Sequence, residues 1–181
     1  MKYIEIPKYL HEVFGEKQSL IEITCTAIFA LFGSFLIYFQ FYRPIAHENG
    51  WLTVLGFILI ADVLAGCIAN FSRGTNKFYA ERSKGRFLFI AIHIHILAIA
   101  WLLSAPFEYA FLIWAYTIIS ALVVNALKDN RIQLFISANL MCSGLLLLMF
   151  LPLPTWFLIT STFFLIKVMF SFAVDHYGNQ G

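Results

Sequence analysis

The sequence has few charged residues, and this scarcity excludes an ordinary soluble fold. Asp, Glu, Lys and Arg make up only 12% of the 181 residues, whereas soluble domains contain about 25%. Hydrophobic residues account for 61% and aromatic residues for 18%. So few charges cannot cover a surface exposed to water, and so apolar a chain does not stay disordered. The composition therefore predicts a polytopic membrane protein.

Cysteine and basic residues are also too sparse for two common classes of protein. The three cysteines, Cys25, Cys67 and Cys142, lie in apolar runs without the paired spacing of a disulfide or zinc site. The net charge is only +2, and the cations fall between apolar runs, as membrane topology requires. We therefore expect no nucleic acid partner, and we expect membrane lipids to surround the protein.

Six apolar runs have the length of about 20 residues that a helix needs to cross a bilayer. They lack the alternating pattern of barrel strands, and unpaired peptide groups are costly in hydrocarbon, so the runs must be helical. The runs are Leu20–Phe39, Trp51–Asn70, Phe87–Leu103, Phe107–Leu127, Ile132–Leu151 and Thr155–Val174. The predicted fold class is all-α, a polytopic membrane bundle of six transmembrane helices. Residues 1–18 form an N-terminal cytoplasmic segment, 19–175 the transmembrane domain and 176–181 a C-terminal tail.

The N-terminal segment leaves two alternatives open. Pro7 suits the first turn of a short interfacial helix that would present Tyr9, Leu10, Val13 and Phe14 to the membrane surface. A disordered tail is the other alternative. The segment has no apolar run of the kind found in signal peptides, so we do not expect cleavage.

Lysine and arginine are distributed unevenly between alternate loops. The N-terminal segment, the loop Phe71–Arg86 and the loop at Lys128–Arg131 carry ten cations, whereas Arg43 stands alone on the other side. Because cytoplasmic loops are enriched in cations, both termini are predicted to be cytoplasmic. The predicted location is the cytoplasmic (inner) membrane of a prokaryote-like cell, with multiple passes.

Four polar residues lie at a similar depth in four of the predicted spans. Asp62, His93, Asn139 and Lys167 are seven or eight residues from the predicted cytoplasmic ends, which is roughly 10–12 Å at the rise of an α-helix. Polar groups in hydrocarbon are costly unless they are paired, so we expect these four to face the bundle interior. With Asn70, nearer the surface, they form the predicted ligand-binding site, open to or near the cytoplasm.

Asp62 and Lys167 are the two residues of this layer that carry opposite charges. The simplest hypothesis is an ion pair across the bundle, which small residues such as Gly66 would allow by close helix approach. Such a pair could instead only fix the helix register. A third alternative is that the lysine extends to the headgroups.

The sequence His93-Ile-His95 superficially resembles a metal-binding motif. On a regular helix, residues two apart diverge by roughly 200°, so the two rings could not bind one ion. We therefore predict no metal site, with one histidine facing inward and the other facing a neighbouring helix or lipid. The inward ring could be a proton-responsive partner of Asp62 or a structural, hydrogen-bonded histidine.

The loop Phe71–Arg86 combines five cations with aromatic residues. It could bind lipid headgroups or a phosphorylated ligand, or its cations could serve only as topology determinants.

The stretch from Asp62 to Asn70 resembles the start of the CDP-alcohol phosphotransferase motif, D-x-x-D-G-x-x-A-R. Asp62, Gly66 and Ala69 match, but Ala65 and Asn70 replace the second aspartate and the arginine. The family's later G-x-x-x-D-x-x-x-D is missing, and its two-metal site requires those carboxylates. The chain is therefore not assigned to that family.

These features support three hypotheses of different classes. The first is a protein that binds or translocates a small solute, ion or lipid through the polar layer. The second is a membrane-embedded enzyme that acts on an amphipathic or lipid substrate, with Asp62 and His93 as acid and base. The third is a non-catalytic scaffold in which the layer only specifies packing. The sequence indicates no cofactor and no oligomeric state.

Overall fold

The computed structural model describes residues 3–8, 11–45 and 50–178. Within these residues, six helices are long and apolar enough to cross a membrane, which confirms the predicted fold class. The spans are Leu20–Tyr42, Gly50–Ala69, Gly85–Leu102, Phe107–Ala126, Gln133–Phe150 and Thr155–Phe172. Each bound lies within three residues of the predicted one, because apolar length alone determines where a helix can cross hydrocarbon.

The described elements are nine α-helices and two short strands. The helices are α1 (His11–Phe14), α2 (Leu20–Ile37), α3 (Gly50–Ala69), α4 (Arg73–Ala80), α5 (Ser83–Ala91), α6 (His95–Leu102), α7 (Phe107–Ala126), α8 (Gln133–Phe150) and α9 (Thr155–Leu165). The strands are β1 (Tyr3–Glu5) and β2 (Lys17–Ser19). Helices α2 and α9 continue as π-helical turns over Tyr38–Tyr42 and Ile166–Phe172. The third span consists of α5 and α6, which are separated by a short interruption.

The last span lies at the centre of the bundle and is the most buried of the six. Phe157 and Phe164 of α9 and Met169 of the π-helical turn are fully buried. Helix α3 packs against α2, α6 and this π-helical turn, and α7 packs against α8. These contacts bring α3, α6 and the last span together around one part of the interior.

The loop predicted between the second and third spans is largely helical. Ser72 caps α4 by accepting a hydrogen bond from the Thr75 backbone N–H, and such a cap satisfies one of the free donors at a helix start. Arg86, assigned to this loop from the sequence, lies inside the third span and is only 1% exposed. The charged loop is therefore shorter than the sequence indicated.

The N-terminal segment folds into a small unit that we call the N-terminal cap, defined as residues 3–8 and 11–19. Strands β1 and β2 pair antiparallel, with Ile4 opposite Gln18. A short helix is present, as one alternative predicted, but it is limited to α1 and lies between two strands. Tyr9 and Leu10, which the prediction placed on its apolar face, are outside the described residues. The cap packs against α4 through α1 and β2.

Candidate functional site

Asp62 on α3 connects two other spans through its carboxylate. Lys167 Nζ donates a hydrogen bond to Asp62 Oδ2 at 2.7 Å, and it lies 3.3 Å from the Asp62 backbone oxygen. His95 Nε2, at the start of α6, is 3.2 Å from the same Oδ2 atom. The ion pair hypothesised from the sequence is therefore present. We call Asp62, His93, His95 and Lys167 the Asp62 cluster.

Lys167 reaches Asp62 because α3 has no side chain at Gly66, one turn away. A Cβ atom at Gly66 would lie 2.4 Å from Lys167 Cε, far inside van der Waals contact. Lys167 also belongs to the π-helical turn of the last span, a local widening that is frequent at functional sites. The lysine side chain is only 4% exposed, so it does not extend to the headgroups.

The two histidines come together because the third span is interrupted between Ala91 and His95. Their ring centroids are 5.0 Å apart, so the prediction of diverging rings was wrong. That prediction assumed a regular helix, and here α5 ends and α6 begins on either side of His93. His95, not the predicted His93, contacts the Asp62 carboxylate. His93 is buried and packs on the Phe89 ring.

Several polar atoms of the Asp62 cluster have no partner among the described residues. Asp62 Oδ2 receives both contacts, whereas no described residue hydrogen-bonds to the other carboxylate oxygen. His93 Nδ1 pairs with the Phe89 carbonyl oxygen, and His93 Nε2 and His95 Nδ1 are buried without a partner in the described structure. Buried polar atoms normally have a hydrogen bond, so these atoms are candidates for water, proton or ligand contacts.

The Asp62 carboxylate is also the accessible part of the cluster. Its side chain is 48% exposed, whereas that of Lys167 is almost completely enclosed. A charged group that faces hydrocarbon is costly, so a carboxylate exposed on a spanning helix requires something polar beside it. Within the described part of the chain, no group of three or more His, Cys, Asp or Glu residues is arranged to hold a metal ion.

An apolar groove of about 430 Å³ lies between α2 and α3, and its lining reaches Ala61, the residue before Asp62. Val54, Ile58 and Ala61 line it on α3, and Ile58 is one helical turn before Asp62 on the same face. Leu31 and Phe35 of α2 form part of the opposite wall. Val54 and Ile58 are both exposed, so the groove opens on the lipid-facing surface of the bundle.

The structure does not bring the two predicted asparagines to the Asp62 carboxylate. Asn139 is exposed on the surface of α8, because equal depth in the membrane does not determine which face of a helix a residue occupies. Asn70 is buried just beyond the end of α3, two turns from Asp62 on the same face, and its Nδ2 atom has no partner among the described residues. Their predicted roles in ligand binding stay predictions.

A second buried polar cluster, which the sequence did not indicate, holds the C-terminal segment, residues 173–178, against the bundle. Arg86 donates hydrogen bonds to Asn125 Oδ1 at 2.9 Å and to the Ala173 carbonyl oxygen at 2.7 Å. Gln133 Nε2 also donates to Ala173, and Gln133 Oε1 accepts from the Asp175 backbone N–H. The signal available in the sequence was that Arg86 directly precedes an apolar run, where a cation can turn inward.

Comparisons of the chain with models of known protein families, with curated proteins and with solved structures gave no match. The functional argument therefore depends on the residues and the geometry.

Proposed function

We propose that this integral membrane protein binds or translocates a small amphipathic molecule that enters from the bilayer. The polar end of this molecule would occupy the Asp62 cluster, and its apolar part would lie in the groove between α2 and α3. The observation that carries the proposal is that the half-exposed Asp62 carboxylate directly follows Ala61, which lines the apolar groove. A role in packing alone would favour a closed and dry ion pair, and Asp62 is too exposed for one.

The chemistry of the accessible group indicates the kind of polar end that fits. A carboxylate oxygen accepts hydrogen bonds, and Lys167 and His95 already contact the other oxygen of Asp62. An ammonium or hydroxyl group can donate to the remaining oxygen, whereas a ligand carboxylate would be repelled. The expected ligand is therefore an amine or alcohol with an apolar body.

The groove extends from Ala61 toward the Gly50 end of α3, away from the N-terminal cap. A ligand that enters along this groove comes from the bilayer, whereas the sequence predicted a site open to the cytoplasm. That cytoplasmic opening stays a prediction. The location in the cytoplasmic membrane is likewise part of this proposal, and it is supported by the distribution of lysine and arginine between the loops.

The experiment compares three probes of equal chain length, dodecylamine, dodecanol and dodecanoate, with the full chain in lipid nanodiscs. We expect the amine and the alcohol to raise the unfolding temperature and dodecanoate to leave it unchanged. A probe at 100 times its dissociation constant adds about 2.7 kcal/mol to the free energy of unfolding. Asp62→Asn should abolish the shift caused by the amine. Asn139→Leu, the matched control at similar depth, should retain it.

A second variant keeps the test decisive if Asp62→Asn does not fold, since an unpaired Lys167 costs about 3–5 kcal/mol. Ile58→Trp fills the groove one turn from the carboxylate without altering a charge. It should keep the fold and lose the response to the amine and the alcohol. Equal shifts for wild type and Ile58→Trp, or a shift with dodecanoate alone, would overturn the proposal. The rate at which dodecylamine crosses vesicle membranes that contain the protein then distinguishes translocation from binding. A rate above that of protein-free vesicles indicates translocation, and an equal rate indicates binding alone.

One observation favours catalysis on an amphipathic substrate as a second candidate. The contact between His95 and Asp62 resembles the carboxylate–imidazole pairs that orient a catalytic base. Mass spectrometry of a membrane-lipid extract incubated with the protein tests this candidate. A product formed by wild type and not by His95→Gln would support it. Bound lipid recovered unchanged from both proteins would contradict it.

A further inference from the structure

A separate cavity of about 410 Å³ lies between α4 and the C-terminal segment. We call it the terminal cavity. Its walls include Arg73, Asn76 and Lys77 of α4 and Asp175, Tyr177 and Gly178 of the C-terminal segment. The last span ends at Phe172, three residues before Asp175, so the cavity lies at the level where a membrane has its headgroups.

Hydrogen bonds to the C-terminal segment from α4 and from Phe71, just before α4, hold the walls of the terminal cavity in place. Asn76 Nδ2 donates to the Val174 carbonyl oxygen at 3.1 Å. Tyr177 Oη donates to the Phe71 carbonyl oxygen at 2.7 Å, and the Arg73 guanidinium lies over the Tyr177 ring at 5.2 Å. The cavity is therefore built by side chains from both walls and does not depend on one exposed loop.

The two walls of the terminal cavity carry opposite charges, since α4 supplies cations and the C-terminal segment supplies a carboxylate. Arg73 and Lys77 are one helical turn apart on α4, so both can face one anion. Lys77 lies 3.8 Å from Glu81 in an exposed pair, which is a weak interaction in water. Asp175 lies on the other wall, and none of the ion pairs within 4 Å among the described residues includes it. Burial lowers the pKa of His176 below its usual value of 6.5, so this neighbour adds no positive charge at pH 7.

Asn76 belongs to the α4 wall, and its amide group reaches the C-terminal segment by donating to the Val174 carbonyl oxygen. The residue is only 4% exposed, and its Oδ1 atom has no partner within the described structure. A buried amide oxygen without a partner is unusual, because such atoms normally accept a hydrogen bond. A donor bound between the two walls would supply one.

We propose that the terminal cavity binds a zwitterion that contains a phosphate and a primary ammonium, as in phosphoethanolamine. The phosphate pairs with Arg73 and Lys77, since guanidinium and ammonium groups are the side chains that bind phosphate. The ammonium group donates to the Asp175 carboxylate and to Asn76 Oδ1. A phosphate without an amine lacks the second interaction, and a quaternary amine has no N–H to donate.

Native mass spectrometry of the full chain in detergent tests this proposal with short-chain lipids and with free phosphoethanolamine. We expect phosphatidylethanolamine to bind at least tenfold more tightly than phosphatidylcholine or phosphatidylglycerol. Binding of the lipid alone identifies a membrane headgroup as the ligand, and binding of free phosphoethanolamine as well identifies a soluble source. Both of these results support the site. Equal affinity for the three lipids would overturn it.

Two variants assign the preference to this cavity. Asp175→Asn keeps an acceptor for the Tyr177 backbone N–H and should reduce the preference for phosphatidylethanolamine over phosphatidylcholine at least fivefold. The double variant Arg73→Gln, Lys77→Gln should weaken all phosphate-containing ligands. Arg131→Gln, which removes an exposed cation from another loop, is the control and should bind like wild type. An unchanged lipid preference in Asp175→Asn would show that the ammonium is recognised elsewhere and would contradict the proposal.

Discussion

Gly66 controls how closely Lys167 can approach α3. The hypothetical Cβ atom at this position lies 2.4 Å from Cε and 3.0 Å from Nζ of the lysine. The lysine side chain is flexible, but it is enclosed and held at 2.7 Å from Asp62. It cannot move away from a new methyl group without lengthening this ion pair.

We therefore expect Gly66→Ala to destabilise the bundle by about 1–3 kcal/mol, the usual cost of overpacking a closed interior. Equilibrium unfolding in mixed detergent micelles measures this change. Gly50→Ala is the control on the same helix, because a Cβ atom there has no neighbour within 4 Å. Gly50 is the first residue of α3, where alanine gains less over glycine than in a helix interior, so we expect this variant to keep wild-type stability. If both variants were equally stable, the packing of Lys167 against Gly66 would not limit the ion pair.

Residue chemistry and depth were enough to predict the pair of Asp62 and Lys167. Placing a charge in hydrocarbon is costly, and two opposite charges at equal depth lower this cost by pairing with each other. Depth alone was not enough to predict where the Asn139 side chain lies. Its depth matches, yet its angular position on α8 turns it outward, and a span that is apolar on all sides gives no pattern from which to predict that angle.

At the scale of elements, two departures from regular helix meet at the Asp62 cluster. The interruption between α5 and α6 carries the histidines, and the π-helical turn after α9 carries Lys167. Neither departure has a proline or a glycine to mark it in the sequence. The six spans were predictable because length and hydropathy determine them, whereas these local geometries depend on tertiary packing. The contact of His95 with Asp62 was missed for this reason.

The contact between the N-terminal cap and α4 depends on two glycines that meet through their backbones. Gly15 has a φ of +70°, and a Cβ atom there would lie 2.3 Å from the Gly74 carbonyl oxygen. At Gly74, a Cβ atom would lie 2.2 Å from the Lys17 carbonyl oxygen. Backbone atoms cannot rotate away as a side-chain end can, so the cap would have to separate from α4.

We expect Gly74→Ala to release the N-terminal cap and leave the six spans folded. Hydrogen exchange in residues 11–19 should accelerate at least tenfold, which corresponds to about 1.4 kcal/mol of local stability. Gly85→Ala is the matched control, since its nearest contact would be an ordinary 3.5 Å to Arg82 Cβ. Faster exchange in the control, or unchanged exchange in Gly74→Ala, would contradict the contact between the two backbones.

On the scale of the whole molecule, the two polar clusters lie at different levels of the bundle. The Asp62 cluster lies within the spans, and the cluster around Arg86 lies at the end that carries the N-terminal cap, α4 and the C-terminal segment. The two clusters have different roles in the structure. The Asp62 cluster leaves a carboxylate accessible near the groove, whereas the cluster around Arg86 donates hydrogen bonds that hold the C-terminal segment against the bundle.

The burial of Arg86 changes the charge count that predicts the orientation of the protein. With Arg86 and Lys167 inside spans, eight of the eleven cations among the described residues lie at the end of the N-terminal cap and only Arg43 lies at the other. The imbalance is still large, and the count concerns cations near the ends of spans, where they affect insertion. We therefore expect both termini to face the cytoplasm.

Two cysteine variants at opposite ends of α7 test this orientation. Glu108 and Asn130 are both exposed and flank one span, so a reagent that cannot cross the membrane must distinguish them. We expect a charged maleimide to label Glu108→Cys in intact cells and Asn130→Cys only after permeabilisation. The native cysteines lie inside spans and serve as the unlabelled background. Labelling of Asn130→Cys alone in intact cells would contradict this orientation, because the eight described cations at the end of the N-terminal cap would then have crossed the membrane. Buried cations such as Arg86 and Lys167 would in that case influence insertion more than these eight.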